Sequence, residues 1–346
     1  MNNLLKISVL SIVGLVVFAA AKPDKMPPAP KPKLSDYGFF VGDLKALAPA
    51  ANVFAYDVNA PLFSDYAEKA RFIALPPGMK MKYHAESAFE FPVGTTLIKN
   101  FYYSHEQAHP ERGRRILETR LLTKDETGWK SWTYVWDDAQ SEAFLEVAGA
   151  TLPATWRDVS GKKQSVEYLV PNLNQCKGCH SFDGQFVPLG ATARQLNRGE
   201  GPENQLVKWA NKGWLDLPEG FQPGTAPRLA DYSETQNADL NARARAYLDG
   251  NCGHCHNAHG PASTSGMFLD FSENNPERLG IGKPPVAAGR GSGNRRFGIV
   301  PGKPSESILL YRMEQDDPGI RMPELGRQLA HREGIELIKN WIKSLK

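Results

Sequence analysis

Four cysteines occur in this 346-residue chain, Cys176, Cys179, Cys252 and Cys255, and they form two C-x-x-C pairs. Each pair is followed directly by a histidine, His180 and His256, and the second lies in the dense stretch "DGNCGHCHNAHG" with His254 and His259. Three chemistries compete for such residues. A disulfide within either pair would close a loop so small that it constrains almost nothing. A structural zinc site favours two C-x-x-C pairs joined by a short spacer, whereas Cys176 and Cys252 stand 76 positions apart and each pair has its own histidine. Attachment of c-type haem requires this arrangement: two cysteines bond the vinyl groups, and the adjacent histidine becomes an iron ligand. Both motifs match, and together they consume every cysteine. The expectation is therefore two covalently attached haems, one held by Cys176 and Cys179 with His180, the other by Cys252 and Cys255 with His256.

A low-spin electron-transfer haem takes a sixth ligand, commonly a methionine C-terminal to the attachment helix. Met322, in "GIRMPELGR", has the right position: Pro323 stiffens its loop and an amphipathic helix follows. Met267 and Met313 lie in apolar patterns and are expected in the core. Arg312 and Arg321 are expected to be solvated surface arginines, with neutralisation of haem propionates as the alternative. The first motif lacks such a partner, because no methionine or histidine lies between His180 and Gln236. Candidates upstream are His84, His105, His109, Met79, Met81 and Lys99.

The elements that must position these residues are legible in outline. Residues 1–21 carry one lysine, an apolar run from Ile7 and Ala19-Ala20-Ala21, the pattern of a cleaved export signal. "AKPDKMPPAPKPK" then reads as a proline-rich linker over residues 22–33. From about Met79 to Val170 the pattern is strand-like. "ETRLLTK", "DETG" and "WKSWTYVW" predict an antiparallel hairpin with Trp132, Tyr134 and Trp136 on one core-facing side. Helical spacing predicts a helix in "PENQLVKWANKG", one leading into Cys252, one over Ser305 to Met313, and a last one with Ile335, Ile338, Ile342 and Leu345 on its apolar stripe. The Gly/Pro-rich run Leu217–Gln236 marks a boundary. The expected fold class is α+β and multidomain: an antiparallel β-rich domain with the first haem over 34–235, then an all-α cytochrome c domain with the second over 236–346.

With "NCGHCH", "RMPELG" and the closing helix, the segment from Ala238 to Lys346 resembles a class I c-type cytochrome domain. That resemblance implies a helical fold around one haem, with Cys252 and Cys255 as attachment points and His256 and Met322 as axial ligands. Through "LFSDYAEKARFIALPPG", "FPVGTTLIKNF", "GWKSWTYVWDDAQ", "CKGCH" and "YLDGNCGHCH", the chain also resembles a family of exported dihaem c-type cytochromes. The β-rich part is similar to the β-sheet cytochrome c-prime family, which implies a five-coordinate or weakly capped iron with Lys99 or Phe101 near its distal face.

The functional expectation is a periplasmic electron carrier serving an external redox protein or a small-molecule donor or acceptor. One alternative is an oxidoreductase whose first haem is an open catalytic centre fed by the second; another is a small-gas-binding haem protein. A formal charge of +3 gives no electrostatic reason to expect nucleic acid. No membrane span is expected once the signal is removed.

Overall fold

The computed structural model describes residues 29–236 and 238–346. The expected export signal and the first part of the linker lie outside the described residues. The chain is mixed α and β: strands dominate up to Val170, and helices dominate thereafter.

The strands of the first part are β1 (Val53–Tyr56), β2 (Glu68–Ala74), the short β3 (Met81–Lys82), β4 (Thr96–Ser104), β5 (Arg114–Asp125), β6 (Gly128–Trp136), β7 (Ala143–Leu145), β8 (Ala150–Arg157) and β9 (Lys163–Val170). Six of them form one antiparallel sheet in the order β1-β2-β4-β5-β6-β7, and β8 and β9 form a separate hairpin. The predicted β5–β6 hairpin is present, and its two-residue turn follows from local chemistry. Asp125 Oδ1 accepts hydrogen bonds from Thr127 N and Oγ1, and Gly128, paired with Asp125, takes the positive φ that the turn requires.

Alternation gives this sheet two different faces. Tyr134 and Trp136, with Trp132 beside them, pack with Leu34, Leu47, Phe72, Ile98 and Leu121 in one core, as the aromatic alternation predicts. The last linker residues dock here too: Leu145 N donates to Pro32 O, and the Tyr134 hydroxyl donates to Lys31 O. On the opposite face, Phe101 and Tyr103 lie under the β8–β9 hairpin with Trp156 and Tyr168. Leu97 and Leu122 join another cluster with Phe54, Met81, Phe91 and Trp209. Between these two clusters the middle of that face carries charge.

The second part comprises α1 (Leu173–Cys179), β10 (Ser181–Phe182), β11 (Gln185–Phe186), α2 (Ala193–Leu196), α3 (Gln205–Asn211), β12 (Leu215–Asp216), α4 (Leu240–Leu248), α5 (Ile308–Glu314) and α6 (Arg332–Ser344). Helix α6 buries Leu337, Ile338, Trp341 and Ile342 against Tyr247, Leu248 and Met313. Trp341 is also inside the core, and its indole N–H donates to Asn241 Oδ1 on α4. Gly334 lets α4 and α6 close up: a Cβ there would overlap the Tyr247 ring.

The link between β1 and β2 docks on the helical part. Gly250 has no Cβ to clash with Ala60 O, Phe63 N donates to Asn251 Oδ1, and the Phe63 ring stacks on His331 at 4.1 Å. Asp65, 2% exposed, accepts the backbone N–H groups of Gln328 and Leu329 on one carboxylate oxygen, at 2.6 and 2.7 Å. Burial raises its carboxyl pKa; the two N–H donors and then Arg321 and Arg327 oppose that rise. Asp65→Ala is expected to lower stability by about 3 kcal/mol, against about 1 for Asp65→Asn, which keeps an acceptor oxygen. Urea unfolding of both variants checks this; equal losses would deny the carboxylate its role.

Candidate functional site

The first C-x-x-C-H motif is built on α1. Asn172 and Gln175 form a reciprocal capping box, each side chain accepting the other's backbone N–H, which starts the helix directly after Pro171. Cys176 and Cys179 lie on that helix, and His180 ends it, with its N–H on Cys176 O at 3.0 Å. The second motif follows α4, whose cap Asp239 accepts Ala242 N. The chain then widens into a π-turn over Asp249–Gly253 that carries Cys252, and Cys255 N and His256 N both donate to Cys252 O. Gly253 is required there because a Cβ would stand 3.0 Å from Asp270 Cα.

Both motif histidines are held alike. His180 Nδ1 lies 2.7 Å from Val187 O, and His256 Nδ1 lies 3.2 Å from Met267 O. A carbonyl accepts only from N–H, so each ring carries its proton on Nδ1 and presents the lone pair of Nε2. Burial holds His180 down to about 4 and also lowers His256, so both rings stay neutral at pH 7. Neutral imidazole with Nδ1 occupied by a carbonyl is the metal-ligating form.

The two motifs meet. The ligand atoms of Cys179, His254 and Cys255 all lie within 4.8 Å of one another, and Asp183 receives His259 Nδ1 at 2.9 Å across the same junction. Between the two thiols the proton stays with Cys255. Its hydrogen bond, with His254 beside it, favours the thiolate of Cys179. Cys176 and Cys252 are pushed up by burial, Cys252 to about 12.

A cavity of about 1030 Å³ opens beside this junction, lined by Cys176, Cys179, His180 and His254 on one side and by the sheet on the other. Its sheet wall is a row of cations: Lys99 on β4 stands directly opposite Arg71 on β2 and Arg120 on β5. Arg120 makes a two-pronged pair with the fully buried Glu118, which also receives the Tyr168 hydroxyl at 2.6 Å. Arg71 reaches Asp57 at 3.3 Å. Burial, with Arg71 and Arg120 nearby, pulls the Lys99 ammonium down to about 7. Of the six upstream candidates for a ligand, Lys99 alone lines the cavity. His84, His105, His109 and Met79 are exposed, and Met81 is sealed in the core around Phe54 and Trp209.

Met322 packs beside Asn251, the neighbour of Cys252, and beside Tyr247 and Leu325 around a small void. Its loop is pinned by Arg327, 4% exposed, whose guanidinium donates to the carbonyls of Met322, Leu329, Arg312, Met313 and Gln315. Met313 lies in the core, with Met267 packed against it. Arg321 corrects the surface expectation: it is 5% exposed, and its Nε has no hydrogen-bond partner among the described residues. Arg312 is half-buried, its Nε on Ile320 O.

Sequence reasoning did not single out Glu118, Arg120, Tyr168, Arg327 or His331. The charges at alternate positions of otherwise apolar strands, Lys69 and Arg71, then Glu118 and Arg120, are the signal that was present. His331 is stacked on Phe63, and burial holds it down to about 4. Because its folded pKa lies below the unfolded value of about 6.5, the unfolded chain binds the extra proton between those limits. Stability due to His331 is therefore present above pH 6.5 and lost as pH falls toward 4, by up to about 3 kcal/mol. The raised carboxyl of Asp65 acts in the opposite sense, so the comparison is with His331→Phe. Unfolding free energies of the two proteins are expected to converge on acidification; parallel curves would contradict the assignment.

The chain matches no protein-family model, no curated protein and no solved structure.

Proposed function

We propose that this chain is an exported dihaem c-type cytochrome that transfers electrons between external redox partners through two adjacent haems. Cys176, Cys179 and His180 would hold the first, and Cys252, Cys255, His256 and Met322 the second. Each haem supplies a one-electron iron centre. The observation that carries the proposal is the junction itself: the C-terminal cysteine of each motif lies at one shared contact, with Cys179, His254 and Cys255 within 4.8 Å. The surroundings of the motifs support it. The Nδ1–carbonyl bonds keep both Nε2 atoms available, and the large cavity opens beside Cys176 and His180. The buried Nε of Arg321, which has no partner among the described residues, suits an anionic group such as a propionate. By composition, residues 1–21 suit export, the route by which such proteins mature. Among the described residues no helix is long and apolar enough to cross a membrane.

One observation favours a second reading. Cys179, His254 and Cys255 supply three of the four ligands that a tetrahedral zinc ion takes. Such a site would leave Cys176, Cys252, His180 and His256 unused, although both histidines are oriented as ligands. The haem reading uses every one of them.

Two experiments test the electron-transfer reading. Replacing Met322 with alanine is expected to abolish the low-spin spectrum of one haem and leave the other unchanged; an unaltered spectrum would remove Met322 from the ligand set. In the unmodified protein, an electron delivered by flash photoreduction is expected to distribute between both haems within milliseconds. A haem that stays oxidised while its neighbour is reduced, at comparable potentials, would contradict transfer across the junction.

A further inference from the structure

Arg71, Lys99 and Arg120 are directly opposed on three neighbouring strands, on the face that lines the large cavity. Like charges in that relation repel, and a sheet normally separates them or supplies counter-charges. Here the compensation is incomplete. Asp57 serves Arg71, Glu118 serves Arg120, and Lys69, on the same face, is satisfied by the carbonyl of Leu62. Lys99 has neither an ion pair nor a hydrogen bond among the described residues; its ammonium stands 5.2 Å over the Phe101 ring at the cavity edge. The carboxylates elsewhere on the cavity wall are committed. Glu86 pairs with Arg194, Glu273 with Arg278, Asp249 accepts Phe271 N, and Asp270 accepts from Ser272. A half-buried ammonium without an anion is costly unless a ligand completes it.

The same cavity contains His180, and no methionine among the described residues lines it. Among the described residues, its other histidines belong to the second motif's turn, His254 at the thiol junction and His259 paired with Asp183. The first motif's histidine therefore shares its cavity with a cationic wall, while the two other histidines there are engaged, His254 with Cys179 and His259 with Asp183.

Resting on the dihaem reading, we propose that Lys99 makes this cavity a binding site for a small monovalent anion, of the nitrite or azide class, that ligates the iron of the first haem. Arg71 and Arg120 keep the site positive, while their own carboxylates prevent them from closing over Lys99. An anion there would complete the one charge in the row that no carboxylate or carbonyl of the described residues meets.

The test is a spectroscopic titration of the intact, haem-loaded protein with sodium nitrite and sodium azide, and with imidazole as a neutral control. Lys99→Gln is expected to weaken both anions roughly tenfold or more, the scale of one charge-assisted hydrogen bond, with imidazole affinity unchanged. Lys99→Arg, which keeps the charge, is expected to retain anion binding and shows that a loss in Lys99→Gln is not misfolding. Equal weakening of anions and imidazole, or no anion binding to the unmodified protein, would overturn the proposal. So would a resting low-spin spectrum that Lys99→Gln alone converts to high spin, since Lys99 would then be the iron ligand itself. The pyridine haemochrome content of each sample separates the two levels. Two haems with no Lys99-dependent anion binding overturn this inference alone, whereas fewer than two overturn the dihaem reading with it.

Discussion

The carboxylate of Asp65 is the constraint on which the arrangement of the whole molecule depends. Asp65 and Tyr66 both lie in the left-handed region, at φ 51° and 63°, a conformation that bulky side chains rarely adopt. That turn places Asp65 Oδ1 on the N–H groups of Gln328 and Leu329, immediately after the loop that carries Met322, and frees the Tyr66 hydroxyl to reach Glu333 on α6. A few residues earlier, the same segment is pressed against Gly250 and Asn251. One stretch between β1 and β2 thus fixes the sheet simultaneously to the Met322 loop and to the turn that carries Cys252. The contact of Cys179 with Cys255 follows from that docking.

Around this joint the chain accepts costs that an ordinary core avoids. Arg321 and Arg327 are both buried, and Arg327 is occupied by five backbone carbonyls, with the exposed Asp316 as its ion-pair partner at 3.6 Å. Such an arginine acts as a template: it gathers the ends of α5 and the Met322 loop, which have no regular backbone ladder of their own. The sheet wall follows a different logic. Glu118 is fully buried, and it is tolerated because Arg120 and the Tyr168 hydroxyl both satisfy it. Lys99 lies next to that satisfied pair and, among the described residues, has no ion pair or hydrogen bond of its own where the stripe faces the cavity.

How much of this was legible from the residues follows from the range of each interaction. The β5–β6 hairpin and the aromatic core face were legible because alternation and the Asp125–Gly128 turn are local. So were the helices over α3, α4, α5 and α6, and the two C-x-x-C-H motifs, which are defined by local spacing. The π-turn after Leu248 was not, because helical spacing runs up to Cys252 and the close approaches of Ala60 to Gly250 and of Asp270 to Gly253 come from distant parts of the chain. The meeting of Cys179 with Cys255, 76 positions apart, depends on tertiary docking that no short pattern encodes. Arg321 read as a solvated residue, since composition favours that, and only the packing of the Met322 loop buries it. Of the six upstream residues, Lys99 alone shares the cavity with His180, and that depends on the strand register that sets which side chains face it.

The central claim is that both C-x-x-C-H turns carry covalent haem. Its most direct measurement is a proteolytic mass map, with pyridine haemochrome and zinc analysis, of the full chain produced in a host that matures c-type cytochromes. The expected result is two haems per chain, one on the peptide containing Cys176 and Cys179 and one on that containing Cys252 and Cys255, with no stoichiometric zinc. Four unmodified cysteines with one zinc ion per chain would contradict it.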